Sequence, residues 1–300
     1  MKNIKTLLVL TLLLISFWQN SFAESVDKLG ILHPNGLLWK IEKQGITDSY
    51  LFGTMHVGDP RVTNLSKEVE QAFMQADHFS MEVLMNFQAM GVITSASFFN
   101  NGQTLKSVMG HMEYKRLVSL INTRIFLSED VINNMKPWAV LMLLMTPVDQ
   151  QSQGSGALDM VLYRRASQRN MKLTGLETAQ EQVAVFDSMS MQDQLWMLNR
   201  AIDEVDSSAA QMAQMLNAYI SRDLEKLVMI QQSLMYEDSE VDDRFMYQLL
   251  DVRNVRMAER MTPMLENGNA FIAIGALHLP GKAGVLHLLE QQGYKVTSIY

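Results

Sequence analysis

The sequence predicts an α+β fold: a mixed central sheet built from two pseudo-symmetric Gly-x-x-His halves, with a mostly helical region between them. Three observations predict it. Strand, Gly-x-x-His, loop, helix and strand follow one another near the start, and the same order returns at the end. The intervening segment carries long 3.6-residue periodicities and few prolines. The composition, 48% hydrophobic and 19% charged, suits a chain that buries a proper core.

The opening stretch belongs to neither half. Met1–Ala23 has Lys2 and Lys5, an apolar run from Leu7 to Phe17, and Ser21-Phe22-Ala23, which reads as a secretory signal peptide. The apolar run is about 11 residues, against roughly 20 for a membrane span. Cleavage takes 23 residues from 300 and leaves 277. It removes two lysines and no acid, so the formal charge goes from −7 to −9. The expectation is an exported, periplasmic protein with no integral membrane segment after cleavage, folded as a single domain over 24–300.

Gly36–Lys43 and Ser49–Phe52 read as strands flanking the turn cluster Gln44–Asp48, hence a hairpin. Gly53-Thr54-Met55-His56 follows, then a loop at Asp59-Pro60-Arg61. Ser66 caps a helix with Val69, Phe73 and Ala76 on one face. His78–Val83 returns as a strand. This first half spans 24–100.

The middle, 101–263, reads as mainly helical. Trp138–Met145 follows Pro137, a residue suited to the first helical position, and reads as a buried helix. Gln150–Gly156 is a flexible stretch. Leu158–Arg169 reads as a helix, Met171–Leu176 as a short strand and Thr178–Phe186 as a helix. Gln192–Ile202, Ala209–Ile220 and Asp242–Met261 read as further helices. Many of the 24 methionines lie here, and core filling is their expected role.

The second half, 264–300, opens on the unbroken apolar strand Ala270–Ile274. Gly275-Ala276-Leu277-His278 follows, then a loop at Pro280-Gly281. Lys282–Gln292 is the helix, stopped by Gly293, and Tyr294–Ile299 the closing strand.

The absence of cysteine excludes disulfides, thiolate metal sites and a cysteine nucleophile. The acidic balance argues against nucleic acid as a partner. No His-Glu-x-x-His helix and no Gly-x-Ser-x-Gly elbow occurs. Any metal must therefore be held by carboxylates and the six histidines. His56 and His278 sit in matching frames past strand ends, where α/β sheets gather ligand sites. Capping of a turn is the alternative for each. Glu82 interrupts an apolar strand, which suits a ligand or base; a solvent-facing alternate position is the other reading. Glu177 lies between a strand and a helix, where it could also serve the helix dipole. Arg253 could clamp a carboxylate or lie on a solvated face. His33, His78, His111 and His287 have no matched context and read as structural.

Leu51–Asp59, Gly175-Leu176-Glu177-Thr178, Arg253-Asn254 and Ala273–Gly281 together resemble the TraB/PrgY/GumN family, related to the Tiki metalloproteases and more distantly to erythromycin-esterase and ChaN-like proteins. The resemblance covers about Gly36 to Tyr300. It implies one site formed where the two Gly-x-x-His halves meet, with His56, His278 and Glu82 as its functional core. In the Tiki branch it implies divalent-metal-dependent peptide cleavage. Two imidazoles and a carboxylate make such a ligand set for zinc, manganese or cobalt. Glu177 is then the candidate base, and Arg253 the group that stabilises an oxyanion or holds a substrate carboxylate. The expected function is a metal-dependent peptidase acting on a peptide or protein substrate. A peptide-binding protein without catalysis and a metal-free esterase-like hydrolase are the alternatives.

Overall fold

A computed structural model describes residues 31–124, 127–145, 156–236 and 239–300. The leader lies outside these, as does most of the Gln150–Gly156 stretch. The fold is α+β, with a mixed sheet of six strands: β1 (Leu38–Glu42), β2 (Ser49–Thr54), β3 (His78–Met81), β4 (Lys172–Gly175), β5 (Ala270–Gly275) and β6 (Lys295–Ser298). Their order across the sheet is β4-β3-β5-β2-β1-β6. β4, β3, β5 and β2 are mutually parallel neighbours, and β1 runs antiparallel to both β2 and β6.

The hairpin forms as the turn cluster requires, with Leu38 opposite Phe52. β2 and β5, the two strands that lead into Gly-x-x-His, lie side by side with Gly53 opposite Ile274 and Thr54 opposite Gly275. The two motifs therefore leave the same end of the sheet, one residue out of step. β5 is buried along Ala270–Ile274, as its unbroken apolar run demands of a central parallel strand.

One core joins the sheet to the helices Lys67–Gln75, Leu158–Gln168, Val252–Asn267 and Val285–Gln291. Phe271 lies at its centre, with the rings of Phe52, Phe73 and Phe79 at 5.9, 5.3 and 6.4 Å. Met257, Met261 and Met264 fill it from Val252–Asn267. A second core lies among the middle helices, built on Leu105, Leu117, Ile132, Trp138 and Leu198. The Pro137–Met145 helix is buried there as expected, and no helix among the described residues is long and apolar enough to cross a membrane.

The helix expected over Lys282–Gln292 runs only from Val285 to Gln291, and two further segments differ from expectation. Asp59-Pro60-Arg61 opens a short helix, Pro60–Thr63, because the Asp59 carboxylate accepts the Arg61 backbone N–H while proline occupies the first turn. The long run after Asp242 is divided into Glu240–Met246, a π-helical turn at Tyr247–Asp251, and Val252–Asn267. Pro263 sits inside that last helix rather than ending it, and Gly268 ends it instead.

Candidate active site

The two motifs nest against each other because each begins with glycine. A Cβ on Gly53 would lie 2.6 Å from Leu279 Cδ1 and 3.2 Å from Ala276, both in the second motif's turn. A Cβ on Gly275 would lie 3.2 Å from Glu82 Oε1 and 3.5 Å from His278 Cδ2. A side chain at Gly53 would press on the second motif's turn, and one at Gly275 would press on the Glu82 carboxylate. Tyr219 donates its hydroxyl proton to the Gly53 carbonyl at 2.9 Å and fixes the first turn from the helix side.

His56 projects from the first turn with its side chain two-thirds exposed. Its Nδ1 lies 2.7 Å from Asp159 Oδ2, and Thr54 donates to the other oxygen of Asp159 at 2.6 Å. The Asp159 charge, then the hydrogen bond to it, push the His56 pKa up to about 9. His278 is buried in the second turn, with Nδ1 2.6 Å from Asn254 Oδ1 and Nε2 3.8 Å from Glu82 Oε1. Burial holds its pKa down to about 4, so the ring is neutral at physiological pH.

Glu82 sits just beyond β3 and is buried rather than solvent-facing. Oε1 accepts the Gly275 backbone N–H at 2.7 Å. Oε2 accepts from Arg253 Nη2 at 2.6 Å and Gln182 Nε2 at 3.0 Å. Burial alone would raise its pKa. The charge that His278 carries once protonated in acid, the charges of Arg253 and His56 and the Gly275 N–H outweigh it, holding the carboxyl down at about 2.

Glu177 is brought to the same place, with its backbone N–H on the Glu82 carbonyl at 2.7 Å. Its side chain has no exposed surface, and guanidinium groups occupy both oxygens. Arg253 Nε reaches them at 3.2 and 2.9 Å, Arg253 Nη2 reaches Oε2 at 2.7 Å, and Arg256 Nη1 reaches Oε1 at 3.0 Å. Arg253 Nη1 donates to the Leu249 carbonyl of the π-helical turn at 3.2 Å. All five residues singled out in the sequence thus fall in one electrostatic neighbourhood. Asp159 and Gln182 complete it and had not been singled out. His78, read as structural, pairs with Thr174 between β3 and β4.

Each imidazole has Nδ1 against an oxygen, which leaves Nε2 as the position open to a cation, at His56 once its proton has left. With the ionised Glu82, the donor types suit a divalent cation. Among the described residues no three such side chains stand close enough together to form a ready-made metal site.

The family model described as TraB/PrgY/gumN matches residues 37–298, nearly all of the described chain. The chain belongs to that family. Among curated proteins it is similar to the metalloprotease TIKI2 of Danio rerio, 24% identical over 87% of this chain and 60% of the relative. The human metalloprotease TIKI1 is 24% identical over 87% and 61%, and a metalloprotease TIKI homolog of Nematostella vectensis is 22% identical over 98% and 75%. The chain thus spans about 60% of the length of the first two. No solved structure shows a significant match.

Proposed function

We propose that this chain is an exported, periplasmic metal-dependent hydrolase that cleaves peptide bonds, with His56, Glu82 and His278 as the groups that hold the cation. The observation that carries the reading is the pairing of a buried, ionised Glu82 with the neutral Nε2 of His278, beside an exposed His56. The metalloprotease names of the relatives support the same class. A divalent cation, whether zinc, manganese or cobalt, would polarise a scissile carbonyl and acidify water. Zero cysteine and the hard, nitrogen-and-oxygen donor set leave the choice among those three open.

The chain's own residues prepare that chemistry. Asp159 and Asn254 orient the two rings. Gln182 and the Gly275 N–H orient Glu82. The donors of Arg253 are largely committed to Glu82, Glu177 and the Leu249 carbonyl. We therefore assign Arg253 to charge compensation of Glu82, and Glu177 to anchoring Arg253, rather than the oxyanion and base roles that sequence reasoning suggested. His56, on the solvent side, marks where a peptide would enter.

The Asp159–His56 pair favours a second reading, a metal-free hydrolase with His56 in proton transfer. Digestion of a peptide library followed by mass spectrometry, with metal analysis of the same protein, separates the two. Chelation that abolishes cleavage, with recovery on adding back metal, supports the first. Cleavage that survives exhaustive chelation overturns it in favour of the second. Chelator-insensitive peptide affinity without any product indicates a binding protein and overturns both. Metal content that stays unchanged in both His56→Ala and His278→Ala refutes the ligand assignment.

A further inference from the structure

Asn254 sits on the Val252–Asn267 helix and touches both the second motif and the loop that follows it. Its Nδ2 donates to the backbone carbonyl of Ala283 at 2.9 Å. A carbonyl can only accept, so this bond fixes which end of the amide faces which way. Oδ1 is thereby turned to His278 Nδ1 at 2.6 Å. Amide oxygen can also only accept, so the proton of the neutral ring must be on Nδ1. Nε2 is then bare and faces Glu82 Oε1 at 3.8 Å. Two acceptors confront each other across that gap, although the carboxylate would be the better acceptor for the ring's single proton.

We propose that Asn254 is a positioning residue that sets the tautomer of His278, holding the proton on Nδ1 and keeping Nε2 a bare lone-pair donor toward Glu82. The Ala283 carbonyl, in the loop that follows the motif, is what gives the amide its orientation. His56 is held differently, by the charged Asp159. The two imidazoles are therefore not equivalent. Only His278 owes its tautomer to a neutral group whose own direction is fixed by a backbone carbonyl. The proton on Nδ1 follows from the geometry alone, and the bare Nε2 follows from it together with the burial that keeps the ring neutral. Its consequence for cation binding rests on the metal-hydrolase reading above.

Long-range proton–nitrogen NMR on ring-¹⁵N-histidine protein, at pH 7.5 and without metal, tests it; His278→Gln identifies the signal. The wild type is expected to show a protonated Nδ1 and a bare Nε2 at His278. Asn254→Leu removes the acceptor and is expected to move the proton to Nε2, toward Glu82. Asn254→Asp keeps an oxygen at the same place and is expected to keep the proton on Nδ1. In parallel, zinc titration against a chromophoric chelator is expected to show affinity reduced about 10- to 100-fold in Asn254→Leu, the usual effect of losing such an outer partner. A wild-type His278 protonated at Nε2 overturns the proposal without any variant. So does an unchanged tautomer in a folded Asn254→Leu protein. If the wild type binds no zinc, the metal reading fails while the NMR pattern still decides the role of Asn254.

Discussion

Replacing Arg253 by methionine keeps an unbranched, helix-compatible stem and removes one positive charge from between two buried carboxylates. Glu177 would lose three contacts of 2.7–3.2 Å and keep Arg256 at 3.0 Å. Glu82 would lose its 2.6 Å partner and keep only Gln182 and the Gly275 N–H. The Glu82 carboxyl is held at about 2 against an ordinary 4.5, and Arg253 supplies part of that displacement alongside His278 and His56. Orphaning one member of a buried ion pair costs about 3–5 kcal/mol. Against a total stability of about 5–15 kcal/mol, such a loss is large. Urea unfolding followed by far-ultraviolet circular dichroism at pH 7 measures it. Because the folded pKa of Glu82 is depressed, its contribution is complete above 4.5 and is lost as pH falls toward 2. In Arg253→Met the folded pKa of Glu82 rises toward 4.5, so less stability is left to lose and the acid limb becomes shallower. Adding Glu82→Gln should recover part of the cost if the orphaned charge, not lost packing, is its source. A destabilisation below about 1 kcal/mol, with an unchanged acid limb, would refute the reasoning.

Three further outcomes are expected. Gly275 has φ −54°, so alanine there meets no backbone strain and acts only through its Cβ, 3.2 Å from Glu82 Oε1. Gly275→Ala should lower kcat/KM of the proposed hydrolysis at least tenfold while the unfolding free energy changes by about 1 kcal/mol or less. Asp159→Asn keeps an oxygen near His56 but removes the charge that raises its pKa to about 9. NMR titration should find the His56 midpoint lowered toward its ordinary value. Arg200 lies far along the chain from the two motifs, stacked between Trp196 and Tyr236 and bonded to buried Asp242 at 2.6–2.8 Å. Arg200→Ala should destabilise by a few kcal/mol, measured in urea, yet leave KM unchanged in the protein that remains folded.

The hairpin, the paired strand ends and the positions of His56, Glu82 and His278 were legible because each is written locally. Alternation, a turn cluster or a glycine before a histidine needs no knowledge of the rest of the chain. Partners supplied by distant elements were less legible. Asp159 reaches His56 across 103 positions of sequence, and in isolation it resembles any acid in a first helical turn. One signal was present. Leu162 and Ala166 follow it at i+3 and i+7 and are fully buried, so Asp159 lies on the apolar stripe of its helix. An acid there needs a buried partner. Gln182 gave no such sign, since an amide one turn into a helix is ordinary. The π-helical turn was hidden for another reason. Its i→i+5 bonds widen one turn between two ordinary helical stretches, and no glycine or proline marks the place in the sequence.

Beyond that turn, Arg253, Arg256 and Arg260 face Glu177 and the helix carrying Glu181. Arg260 holds Glu181 at 2.7 and 2.8 Å, Arg256 holds Glu177, and Arg253 joins Glu177 to Glu82. The charges alternate from the exposed end of the series to the buried one. Glu82 is its last member and has no cation of its own beyond a shared Arg253. Its two oxygens consequently have different surroundings. Oε2 is bound to Arg253 and Gln182, whereas Oε1 meets one backbone N–H and faces the bare side of His278. Oε2 is committed to Arg253 and Gln182, so Oε1, on the side of His278, is the oxygen that the proposed function assigns to the cation.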